Sequence, residues 1–248
     1  MAVIHRTTFK PTKLELLASW LPSRPWYHGA AEPRLAKAGG FRLDDPEGEV
    51  GIEFMVVTDT SAPEPASYLV PLTYRGAPPD GAQHALIGTS EHGVLGRRWV
   101  YDGCHDPVLV AQLAGLIEGR AEAQAQSLTD TPDREVTRAW AGEGGVPTEF
   151  AVRDGEEGTA LSAAGDTTLR VVRVLEPAPD GAPLPEPGAA GHVAGAWDLP
   201  DGTRARGLFF VLHTGPRDQG ASPAESHGAS PTPEGARPGR PGVQPRTA

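Results

Sequence analysis

One cysteine, Cys104, occurs in the 248 residues, so an internal disulfide is excluded, and so is a metal centre built on paired thiolates. No apolar run approaches the ~18 residues that cross a bilayer. Runs such as Phe54-Met55-Val56-Val57 are strand-sized. Residues 1–20 contain Lys10 and Lys13 but no apolar h-region; no secretory leader is read there, and a cytoplasmic location is expected. Positive charge is also short, with 22 Lys and Arg against 32 Asp and Glu. That balance argues against a nucleic-acid partner, because phosphate binding needs a clustered positive field. Glycine (31) and proline (26) are what the chain has in excess, near the level where low complexity begins. They crowd residues 214–248, which contain no Ile, Leu, Phe, Tyr or Trp and a single Val. Such a segment cannot bury a core, so a disordered tail is expected from residue 214.

The first helix is written at Thr12-Lys13-Leu14-Glu15-Leu16-Leu17-Ala18-Ser19-Trp20-Leu21. Thr12 with Glu15 three residues on is a capping box, and Leu14, Leu17, Trp20 and Leu21 share one face. Pro22 stops it, and the rings of Trp26 and Tyr27 are expected to pack on the edge of the next element. From residue 39 the period becomes two. Strands are read over 40–44, 49–58, 67–75, 84–89 and 94–102, with turns such as Asp45-Pro46-Glu47-Gly48 between them. Hairpin spacing implies an antiparallel meander rather than βαβ units. With the first helix on one face, the fold class is α+β. Asp106-Pro107 opens a second helix with the stripe Val108, Leu109, Leu113, Leu116 and Ile117, and Gly115 and Gly119 weaken its end. Residues 119–134 read as a linker. Short strands follow over 148–153, 167–175, 192–199 and 205–213, with a proline-rich loop at 176–191 expected to be mobile.

Motifs for chemistry are sparse. No GxxxxGK[ST] or GxSxG occurs, and Gly142-Glu143-Gly144-Gly145 does not join a strand to a helix. The carboxylate pairs Asp44/Asp45 and Glu156/Glu157 lie in turns where solvation is expected. His105 with Asp102 and Asp106 is the single local cluster of ligand types, but a helix start explains Asp106 more simply, and no metal is assigned. Cys104 reads as a small residue in a turn. The feature with binding character is Arg75 on one strand beside Arg97, Trp99 and Tyr101 on the next. An aromatic ring beside Arg can stack on a sugar, or can simply be a cross-strand pair.

Three segments resemble a known family: Leu21-Pro22-x-Arg24-Pro25-Trp26-Tyr27, Tyr68-x-Val70-Pro71-Leu72-Thr73-Tyr74-Arg75, and Val100-Tyr101-Asp102-Gly103-x-His105-Asp106-Pro107. Together they are similar to the N-terminal cap domain of actinobacterial maltokinases over residues 1–126. The resemblance implies a curved, cystatin-like antiparallel sheet with helix packing, seated on a kinase body that makes maltose 1-phosphate from maltose and ATP. The short strands after residue 134 make a small β-rich unit over residues 127–213, in which Gly165-Asp166-Thr167-Thr168-Leu169-Arg170-Val171-Val172-Arg173 is similar to the kinase strand bearing the ATP-contacting lysine. Arg170 takes that lysine's position, and a guanidinium is not a clean replacement.

The family's HGDxHxxQ motif is not found in the sequence. Asp45-Pro46-Glu47-Gly48-Glu49, which echoes the family's metal segment, lies between strands of the cap part. The expectation is therefore a stand-alone, non-catalytic cap-like module of maltose, trehalose-linked and α-glucan metabolism. No cofactor is expected, and the partner is a sugar kinase or an α-glucan enzyme. The alternatives are an α-glucan-active enzyme, which needs paired buried carboxylates, and a carbohydrate-binding module holding maltodextrin. The binding-surface candidates are Arg75, Arg97, Trp99 and Tyr101.

Overall fold

The computed structural model describes residues 8–128, 131–178, 181 and 186–215. The tail expected from residue 214 lies almost wholly outside them, as do 179–180 and 182–185 of the proline-rich loop. Among the described residues fourteen strands form one sheet, every pair antiparallel, with two α-helices, which is an α+β fold. The strands are β1 (Phe9–Lys10), β2 (Leu35–Leu43), β3 (Gly51–Asp59), β4 (Ala66–Arg75), β5 (Leu86–His92), β6 (Gly96–Asp102) and β7 (Gln124–Ala125). They continue as β8 (Thr137–Trp140), β9 (Ala151–Gly155), β10 (Gly158–Ala163), β11 (Thr167–Val171), β12 (Val174–Leu175), β13 (Gly191–Asp198) and β14 (Arg204–His213). The main path runs β1-β5-β6-β4-β3-β2-β13-β14-β11-β10-β9, with β12 on β4, β7 on β2 and β8 on β13.

Both helices start where local chemistry dictates. In α1 (Lys13–Trp20) the Thr12 hydroxyl accepts from the Glu15 amide at 3.3 Å, and the Glu15 carboxylate accepts from the Thr12 amide at 2.6 Å. In α2 (Pro107–Glu118) the Asp106 carboxylate accepts from the Val108 amide at 3.0 Å. Gly119 does not weaken that helix but closes it. Its φ of +85° turns the chain so that the Arg120 amide reaches the Gly115 carbonyl at 2.7 Å.

The helices cover opposite faces of the meander, so β3 is buried on both sides. Met55 and Val57 join Leu17, Trp20, Tyr68 and Val70 under α1. Phe54 and Val56 join Leu69, Leu109, Leu113 and Ile117 under α2. Trp26 is fully buried against Trp20 and Tyr68 rather than resting on an edge.

The second core does not stop at residue 126: Val171, Val193, Trp197, Phe209 and Phe210 are part of it. The backbone crosses the same point, because Trp197 of β13 pairs with Gly39 of β2. A side chain at Gly39 would meet the backbone of Ala196 and Trp197 at 3.1–3.2 Å, so a bare backbone is what lets the strands close.

The strand expected over 167–175 is two. Val171 ends on β14; the chain then crosses, and Val174 and Leu175 pair with Tyr68 and Ser67 of β4. At the crossing the Arg173 carbonyl accepts from the Leu69 amide at 2.9 Å. β8 and β10 are absent from the expectation. The alternation Val136-Thr137-Arg138-Ala139-Trp140 and the hairpin turn Gly155-Glu156-Glu157-Gly158 were their signals.

Candidate functional site

The site is built where the C-terminal ends of β4 and β6, running antiparallel, overlap. Arg75 faces Trp99 across the two strands, and Thr73 faces Tyr101. Arg75 holds Asp106 by two parallel bonds, Nε to Oδ2 and Nη2 to Oδ1, both 2.7 Å. Fork-to-fork pairing of this kind is the strong form of an Arg–carboxylate contact, and it keeps the Arg75 guanidinium protonated. Since Asp106 also caps α2, Arg75 ties the end of β4 to the helix start. Asp106→Ala removes the cap, worth about 1 kcal/mol, and strips a charged hydrogen bond from Arg75. We expect a loss of about 2–3 kcal/mol, read as a lowered urea midpoint at unchanged slope.

Arg75, Tyr101, His84, His105 and Asp106 line one cavity of about 300 Å³, completed by residues 79–82, Ala85 and Pro107. Tyr101 is 2% exposed, and its hydroxyl is buried with no hydrogen-bond partner in the protein. Burial raises its pKa, with Arg75 opposing, so it remains a phenol at neutral pH. His84 and His105 stand edge to face, ring centres 4.9 Å apart. Their contacts fix the neutral tautomers. His84 Nδ1 lies 3.0 Å from the Gly81 carbonyl, which can only accept, so Nδ1 carries the proton. His84 Nε2 therefore accepts from His105 Nδ1 at 3.3 Å, which leaves His105 Nε2 as an acceptor.

Burial lowers the His105 pKa, with Asp102 opposing and His84 assisting. The unfolded chain thus takes up a proton on His105 at a higher pH than the folded one, and stability falls as pH drops through about 6.5. Melting temperatures at pH 7.5 and 5.5 are expected to differ more for the native chain than for His105→Gln.

The structure divides the four residues read from the sequence. Arg75 and Tyr101 share the cavity. Trp99, half-buried, and Arg97, exposed and paired with Glu91 at 2.8 Å, lie further along β6 outside its lining. The cluster of Asp102, His105 and Asp106 is also divided: Asp102 goes to Arg173, His105 to His84, Asp106 to Arg75. Among the described residues no group of three His, Cys, Asp or Glu is set to hold a metal. Cys104 is buried, and burial pushes its thiol pKa well up, the reverse of an activated nucleophile.

Buried carboxylates are more numerous than the turns suggested. Asp45 is buried rather than solvated, accepting from the amides of Glu47, Glu49 and Val50 at 2.9–3.1 Å. Glu53 accepts from Lys13 and Tyr74 at 2.5 Å and from Gln126 at 2.6 Å. Burial alone would raise its pKa, but Lys13, Tyr74 and Lys37 together outweigh that and hold it below the usual range. Asp59 is likewise held low against burial by Tyr27, Ser61 and the Arg34 amide.

The network missed entirely from the sequence centres on Arg173. It is fully buried, with Nη2 2.5 Å from Asp102, Nε 2.7 Å from the Thr159 hydroxyl, and its guanidinium 4.9 Å from the centre of the Trp26 ring. Burial lowers its pKa, but the surrounding groups, Asp102 first among them, together outweigh that and keep it charged. Arg170, three residues earlier, is instead half-buried and held by Glu186, which His213 also contacts at 3.3 Å.

Residues 20–106 match the maltokinase N-terminal cap domain. This segment resembles the maltokinase cap. The match runs from the last residue of α1 to the cap residue of α2 and takes in every charged or aromatic residue of the cavity. No curated protein matches the chain. No helix among the described residues is long and apolar enough to cross a membrane.

Proposed function

We propose that this chain is a non-catalytic, cap-type binding module of maltose and α-glucan metabolism, acting in the cytoplasm beside a sugar kinase or an α-glucan enzyme. The observation that carries the reading is the maltokinase cap match over residues 20–106. In this reading β2–β6 with α1 correspond to the cystatin-like cap.

Two features support the absence of catalysis. Arg170, at the position of the kinase lysine, spends its guanidinium on Glu186, whereas phosphoryl transfer needs that position directed at phosphate. Glycoside chemistry needs one carboxyl with a raised pKa to act as acid. The buried Glu53 and Asp59 are both pulled the other way by their partners.

The test is to incubate the full chain with magnesium, ATP and maltose, and separately with maltodextrin. The expected result is no ADP, no phosphorylated sugar and no shortened glucan. Appearance of any of these overturns the proposal. Capture of a purified maltose-phosphorylating kinase on the immobilised chain is the expected positive result.

A further inference from the structure

The geometry points to the cavity between β6 and the start of α2 as a binding site for a neutral polyhydroxylated ligand, one or two sugar rings in size. This rests on the binding-module reading and names the ligand class and the residues that hold it. The cavity, about 300 Å³, lies at the small end of ligand pockets, which run from about 300 to 1,000 Å³. That is too little for a polymer or a nucleotide.

Charge selects against ions of either sign. The single cation in the lining, Arg75, is already matched by Asp106, and Asp80 adds a further carboxylate at the exposed rim. An incoming anion would find no unpaired positive charge and two carboxylates. A cation would meet the Arg75 guanidinium.

What the cavity does present is a neutral donor and a neutral acceptor. The Tyr101 hydroxyl is buried and without a protein partner, and a buried hydroxyl in that condition is unfavourable until something bonds to it. His105 Nε2 is an acceptor, because its ring partner His84 fixes the tautomer. Adjacent hydroxyls of a sugar donate and accept at once, so a vicinal diol satisfies both groups. Pro79, Ala82 and Pro107 supply apolar wall for the C–H face of a ring.

The experiment is a titration of the isotope-labelled full chain with maltose, followed by amide chemical shifts, with glucose 1-phosphate as the anionic comparison. Maltose is expected to move amides of residues 79–85 and 101–107, and glucose 1-phosphate to bind there at least tenfold more weakly. Tyr101→Phe removes only the unpartnered hydroxyl. It should keep the native spectrum and weaken maltose about tenfold, the equivalent of one hydrogen bond to a buried group. His84→Gln, which frees the His105 ring to adopt the other tautomer, should weaken maltose as well.

The site is overturned if maltose leaves those amides unmoved, if Tyr101→Phe binds maltose as the native chain does, or if glucose 1-phosphate binds there more tightly. Maltose shifts confined to Trp99 and Arg97 would also sink the cavity while leaving the binding-module reading standing. Phosphorylation of maltose by the chain would sink that reading whatever the cavity does.

Discussion

Arg173→Ala is expected to destabilise the protein by about 3–5 kcal/mol, a large share of the stability of an ordinary domain. The cost does not come from losing a favourable ion pair, since a buried pair gains little over apolar packing. It comes from what remains: Asp102, 2% exposed, would keep a carboxylate in the interior with its 2.5 Å partner gone. Thr159 would lose the donor to its hydroxyl, and Trp26 the cation over its ring. The measurement is the guanidinium midpoint at constant slope. Arg173→Met combined with Asp102→Leu removes both charges together and should recover at least half of the loss. A single variant within about 1 kcal/mol of the native chain would show that Asp102 finds another partner, and the account of the network would fall.

Trp197→Ala should cost about as much, 3–5 kcal/mol in order of magnitude, through a cavity rather than a charge. The indole is fully buried, packs on Phe209 at 6.1 Å between ring centres, and sits on the residue that pairs β13 with β2. Its core contains Phe41, Phe54 and Leu109 as well as Phe210 and Leu212, so damage at Trp197 reaches residues on both sides of position 126. Unfolding followed by far-ultraviolet dichroism and by tryptophan fluorescence is therefore expected to give coincident transitions in the native chain and in the variant. Two separated transitions, only the later residues melting early in Trp197→Ala, would contradict a shared core.

Much of the local architecture was legible from short stretches. The Thr12–Glu15 box, the Asp106-Pro107 start and the period-two runs between residues 40 and 102 each depend on residues no more than four positions apart. The candidate site was legible in part. Arg75 and Tyr101 are readable as Arg beside an aromatic ring on neighbouring strands, but the same pattern takes in Arg97 and Trp99. Register, not alternation, decides which members of a face reach the strand end, and register is set by the partner strand. His84 and His105 are 21 positions apart, and nothing in either flank announces the other.

The α+β class, the helix caps, the meander and the likeness to a maltokinase cap are all written in short stretches of chain, because propensity, periodicity and capping are short-range properties. It takes the packed fold to place Arg173 rather than Arg170 in the interior, to bring Asp102 and Arg173 together across 71 positions, and to let Gly39 admit β13 beside β2. Those outcomes depend on which groups lose water together when distant strands close. That loss makes an unpaired buried charge costly enough to select its partner, and it leaves no mark on neighbouring residues.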